Sequence, residues 1–94
     1  MLFAIAAYFG PDAEVQRQKI HERYNEHLRQ RTDRVHLAGP LYDANGERTG
    51  VLLIIEAVDF PAAQEFLRVS PYTEAGLYSR TEVSEFRPEV GFPR

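Results

Sequence analysis

The chain contains no cysteine. That excludes disulfides, thiolate nucleophiles and thiolate metal sites, and it is the usage expected of a cytoplasmic protein. A basic excess is missing too: the formal net charge is −3, and the arginines are spread along the chain rather than gathered. A nucleic-acid partner is therefore not expected, because holding phosphates needs a basic face. No apolar run approaches the roughly 20 residues of a membrane-spanning helix. Met1-Leu2-Phe3 leads straight into strand-like sequence, so neither a membrane association nor a signal peptide is expected. A glycine-rich phosphate loop is absent, since Gly39-Pro40 and Gly46 read as turn glycines, and no serine stands in a nucleophile-elbow context. What is present is an ordinary globular composition, 44% hydrophobic and 27% charged over 94 residues. It suits one domain, residues 1–94, with no room for a second core.

Two stretches dominate the hydrophobic pattern. Leu2–Phe9 and Gly50–Ala57 are apolar at both parities; in the second, Val51, Leu53 and Ile55 share one face, and Leu52 and Ile54 the other. Strands of this kind expect cover on both sides of their sheet. Val35–Leu41 precedes the second stretch, and Asn45-Gly46 between them is a hairpin signal, because tight turns need residues that tolerate positive φ. Asp12 reads as the N-cap of a helix running to about Thr32, whose Ile20, Tyr24 and Leu28 form a narrow stripe at i, i+4 and i+8. Asp59 reads as the cap of a second helix with Phe60, Ala63, Phe66 and Leu67 as its apolar side. Pro71 stops that helix and, with Ser70 as cap, starts one short turn. Tyr78–Phe86 suits an edge strand, and Arg87–Arg94 an extended tail.

The order β, α, β, β, α, β predicts an α+β protein. Right-handed crossovers place both helices on one face of a four-stranded antiparallel sheet, the ferredoxin-like arrangement. Two helices cover one face only, yet the first and third strands are apolar on both. At roughly 25 cal/mol per Å², a bare apolar face of several hundred Å² is a liability of many kcal/mol. A second copy packed sheet against sheet relieves it, so a homodimer through the sheet face is expected.

The candidate chemistry rests on histidine. His21 precedes Tyr24 by three residues and Leu28 by seven, which puts it on the edge of the buried stripe. A histidine at such a seam can meet a pocket while staying partly wet, where a general acid–base group belongs; the plainer alternative is a boundary histidine that only packs or hydrogen-bonds. His27 reads as a solvated helix residue and His36 as a surface or interface residue. No metal site is expected, because His21 and His27 point about 120° apart around a helix. Asp12, Asp33, Asp43 and Asp59 all fall at caps or turns, where a structural role is the better reading.

Read together, His21 with Tyr24, Leu37-Ala38-Gly39-Pro40-Leu41, Pro71-Tyr72 followed by Ala75-Gly76-Leu77, and Phe86-Arg87-Pro88 resemble the YCII-related (YciI-like) family over nearly the whole chain. The resemblance implies a dimeric α+β barrel built from ferredoxin-like protomers. It also implies a histidine–aspartate pair at the active site, with some relatives acting on chlorinated or hydroxylated aromatic compounds. His21 matches the family histidine. The family's Asp-Pro-Tyr is here Ser70-Pro71-Tyr72, a departure that keeps a helix cap but removes the carboxylate. Either Ser70 would then be a weaker orienter of His21, or another carboxylate such as Glu74 would substitute, and the sequence does not choose between them.

Three functions follow as expectations. The first is a small enzyme without cofactor, doing lyase- or hydrolase-like acid–base chemistry on a small, in some relatives aromatic, molecule. There His21, with Ser70 as a minor partner, is catalytic, and Tyr24, Gly39, Pro40, Pro71 and Tyr72 line the pocket. The second is a small-molecule binding module that kept this pocket and lost the dyad. The third is a purely structural dimer subunit inside a larger assembly, which predicts no ligand-sized cleft at all. The same barrel also serves cofactor-free monooxygenases of antibiotic-biosynthesis type, an analogy of fold alone.

Overall fold

The computed structural model describes residues 1–31 and 33–91. Position 32, where the first helix was expected to end, and the last three positions of the expected tail lie outside them. In chain order the elements are β1 (Leu2–Phe9), α1 (Glu14–Arg29), β2 (Val35–Tyr42), β3 (Arg48–Glu56), α2 (Phe60–Arg68), α3 (Pro71–Glu74) and β4 (Tyr78–Phe86). The sheet is antiparallel in the order β2-β3-β1-β4. The doubly apolar strands β1 and β3 are thus the central pair, and β2 and β4 are the edges. This is the ferredoxin-like α+β fold expected, with the Pro71 turn counted as a third, one-turn helix.

Alternation along the strands decides where the core sits. Phe3, Ile5 and Ala7 of β1 and Val51, Leu53 and Ile55 of β3 are buried on one face. They join Tyr24 of α1, Ala63, Phe66 and Leu67 of α2, and Tyr72 of α3 in one cluster. The opposite face carries Leu37, Leu52, Ile54 and Phe86, of which Leu37 is 50% exposed while Ile54, flanked by Ala4 and Leu37 across the strands, is only 8% exposed. Gly50 makes the close approach of β3 to β1 possible, since a Cβ there would overlap the Ala7 carbonyl oxygen.

Asp59 caps α2 as expected, accepting a hydrogen bond from the Ala62 amide at 2.9 Å. Asp12 does not cap α1: the N-cap is Ala13 and Asp12 adopts a left-handed φ of 63°, ending the Gly10-Pro11 turn. The hairpin connection is five residues, Asp43–Glu47, longer than a two-residue turn. Asp43 Oδ1 organises it by accepting from the amides of Asn45 (2.9 Å) and Glu47 (3.0 Å), with Gly46 at φ 79°. Gly39 and Pro40 lie inside β2 rather than at a turn. An edge strand tolerates a proline because one of its sides needs no amide donor.

Candidate functional site

α1 crosses the sheet so that its Tyr24 stripe faces inward, and a cleft of about 140 Å³ opens between the helix and the β2–β3 hairpin. His21, Tyr24, Asn25 and Leu28 line it from the helix. Ala38, Gly39 and Pro40 line it from β2, and Arg48 and Val51 from β3. The small residues matter here: Gly39 has open space where a Cβ would stand, which leaves the cleft room on the strand side. A volume near 150 Å³ holds a single six-membered ring.

His21 stands at the centre of a chain of polar contacts. Its Nδ1 is 3.3 Å from the Tyr72 hydroxyl and 3.4 Å from a guanidinium nitrogen of Arg17; its Nε2 is 3.1 Å from the side-chain amide of Asn25. A guanidinium only donates, so its approach favours Nδ1 as the acceptor and puts the hydrogen of a neutral ring on Nε2. That hydrogen needs the oxygen of the Asn25 amide as its acceptor, an orientation decided by the network and not by atom positions alone. Arg17 is itself fixed by Glu14 through contacts of 2.6 and 2.8 Å. The pair holds the Glu14 carboxyl down to about 2, chiefly through the Arg17 hydrogen bonds and then that of Gln18, and raises the Arg17 guanidinium in turn.

Behind His21 the aromatic residues are packed face to face. Tyr24 and Tyr72 stack with ring centroids 4.0 Å apart and planes 9° from parallel, and Phe9 and Tyr78 meet Tyr72 edge-on. Burial raises all three tyrosine hydroxyls above their usual range, Tyr24 to about 12. Arg17, by hydrogen bonding, opposes the rise at Tyr72.

The expected site residues divide into two groups. His21, Tyr24, Gly39 and Pro40 border the cleft. Ser70, Pro71 and Tyr72 do not: all three are buried, with Tyr72 fully so. Tyr72 acts from behind, through its hydroxyl and its stack on Tyr24. Ser70 Oγ has no hydrogen-bond partner, so it does not orient His21. Glu74 is exposed, and its charge acts on His27 instead.

His27 corrects the reading of a solvated residue. It is 8% exposed, packs 5.5 Å from Phe66, and leaves Nε2 without a partner. Position 27 lies seven residues from Ile20, on the same helical face, and a count of apolar types alone passes over it. His36 stays outside the cleft, at a register shift in β2, 3.5 Å from Glu56. Arg17, Asn25 and Arg48 escaped the sequence reading. The first two flank His21 at i−4 and i+4, a spacing that signals contact on a helix; Arg48 gave no signal beyond its place after the turn. Among the described residues no group of three or more His, Asp or Glu side chains is placed to hold a metal, and no helix is long and apolar enough to cross a membrane.

Comparison with known proteins points to a family and to a similar solved structure. A model of the YCII-related domain matches residues 1–87. Among solved structures, the chain is similar to 5-chloro-2-hydroxyhydroquinone dehydrochlorinase from Burkholderia phenoliruptrix AC1100, determined in complex with 2,5-dihydroxybenzoquinone. The TM-score is 0.85 and the identity 26%, over 93% of this chain and 94% of that one. No curated protein matches the chain significantly.

Proposed function

The chain belongs to the YCII-related domain family, and from that premise we propose that it is a small enzyme acting on a small ring compound in the His21 cleft, by acid–base chemistry of its own side chains. The observation that carries this reading is the position of His21, which borders a ring-sized cleft while its two nitrogens are engaged by Tyr72, Arg17 and Asn25. A ring held against Tyr24 and Leu28 brings its hydroxyl within reach of the imidazole. With the hydrogen of the neutral ring on Nε2, the free lone pair is on Nδ1. Nδ1 therefore accepts the substrate proton in place of the weak 3.3 and 3.4 Å contacts from Tyr72 and Arg17, while Nε2–H donates to Asn25. Tyr72 and Arg17 position the imidazole from its Nδ1 side. The structural neighbour's reaction on a chlorinated hydroxyhydroquinone supports a substrate of this kind. For such a compound the balanced change is loss of HCl: one ring hydroxyl becomes a ketone as its proton moves to the carbon that bears chlorine, the hydroxyl opposite gives its proton to His21, and chloride leaves with the C–Cl bonding electrons, which brings the ring to the quinone level.

The test is steady-state release of chloride from 5-chloro-2-hydroxyhydroquinone, followed together with quinone absorbance, for the wild type and His21→Asn. A fall in kcat of about 10²-fold or more in a variant with unchanged circular dichroism agrees with the proposal; equal turnover in the two proteins overturns it.

A second reading, a binding module without turnover, is favoured by one observation. None of the hydrogen-bond partners of His21 is a carboxylate, and Ser70 stands where the family pattern has aspartate. It predicts that the ring compound binds, that His21→Asn weakens binding, and that no chloride appears. In either case we propose a homodimer, because Leu37, Leu52 and Phe86 leave apolar area on the helix-free face.

A further inference from the structure

The inner cleft is not electrically neutral. Arg48, half-buried at the start of β3, lines both this cleft and a wider outer groove of about 380 Å³, which Arg17 and Tyr42 also border. Its guanidinium lies 5.9 Å from the Tyr42 ring centroid, and among the described residues it has no hydrogen bond or ion pair. Two carboxylates share the outer groove. Glu14 is already engaged by Arg17 and Gln18, and Glu47 is exposed and not within ion-pair distance of Arg48. The inner cleft itself is lined by no carboxylate. A half-buried arginine without an anion, where an apolar slot opens into a polar groove, is an unfilled half of a charge-assisted contact.

Resting on the reading of the cleft as a small-ring site, we propose that Arg48 makes it selective for anions. The ligand is a single ring carrying a carboxylate or an ionised phenol, with the ring in the inner cleft and the negative oxygen turned to Arg48 at the junction with the outer groove. The planar fork of a guanidinium suits two oxygens of a carboxylate, which an ammonium does not match. The field of Arg48 also reaches the cleft aromatics, where it counteracts the burial-driven rise at Tyr24 and Tyr72.

The experiment compares 2,5-dihydroxybenzoate with hydroquinone, the same ring without the charge, by isothermal titration calorimetry and amide shift mapping on the wild type, Arg48→Gln and Arg48→Lys. The expected result is that the wild type prefers the benzoate by about tenfold or more. Arg48→Gln removes most of that preference, Arg48→Lys restores only part of it, and rising salt reduces but does not abolish it. Equal binding of the two compounds to the wild type, with shifts at His21 and Gly39, overturns the anion preference and leaves the small-ring reading standing. An undiminished preference in Arg48→Gln overturns the role of Arg48. Absence of binding by either compound overturns both.

Discussion

His27 and Ser70 show how much a single buried polar atom decides. Burial, with the Arg31 charge adding to it, holds the His27 imidazole below its ordinary pKa. A histidine kept neutral in the folded chain contributes stability above the unfolded value near 6.5, and that contribution is lost as pH falls through the lower folded value. Thermal midpoints should therefore drop between pH 7 and pH 5, and His27→Leu should flatten that slope. Ser70 leads to a prediction in the opposite sense. Its Oγ is buried, without a partner, and makes no cap contact with α3. Ser70→Ala should be neutral or stabilising by up to about 1 kcal/mol, measured by urea denaturation, because an unmatched hydroxyl is costly to bury. An Asp at that position in this chain would bury a charge unless His21 or another cation moves to meet it.

At the scale of the element, strong periodicity was easy to read and local chemistry was not. β1 and β4 are legible from end to end, and the Asp59 cap of α2 follows from an acceptor one residue before an apolar run. Asp12 looks the same in sequence and caps nothing, because Gly10-Pro11 turns the chain so that Asp12 takes a left-handed φ and Ala13 becomes the cap. The helix face of the candidate site was legible through His21 and Tyr24. Arg17, Asn25 and Arg48 were not, because charged and amide side chains on a polar helix or beside a turn have no pattern that separates a cleft wall from a solvated surface. Two variants test the elements. Asp59→Ala should destabilise by about 1 kcal/mol through the lost cap. Gly50→Ala should cost about 3 kcal/mol or more, because the added methyl meets the β1 backbone, which cannot yield as a side chain would. Chemical denaturation of both, with the wild type as reference, gives the comparison.

For the whole molecule, the sheet has one face built into the core and one left to solvent. The alternation that buries Phe3 and Ile55 necessarily turns Leu2, Ala4, Leu52 and Ile54 the other way. Sequence alone carried this two-faced demand, and it motivates the proposed homodimer. Sedimentation equilibrium should give about twice the 10.8 kDa chain mass, and Leu37→Glu with Leu52→Glu should shift the population to monomer. High pH acts at the same scale, through the tyrosine stack behind the cleft. Tyr24, Tyr72 and Tyr78 are raised mainly by burial, so the folded state holds them protonated; the stability this provides is present below about pH 10 and is lost as pH rises through their folded values.

The cleft joins these scales, since α1, the hairpin and the buried tyrosines all converge on His21. Amide and side-chain NMR titration with 2,5-dihydroxybenzoquinone tests that convergence most directly. The predicted result is saturable shifts at His21, Asn25, Ala38, Gly39 and Arg48, with the exposed face of β4 unmoved. Shifts confined to the open sheet face, or none at all, would contradict it.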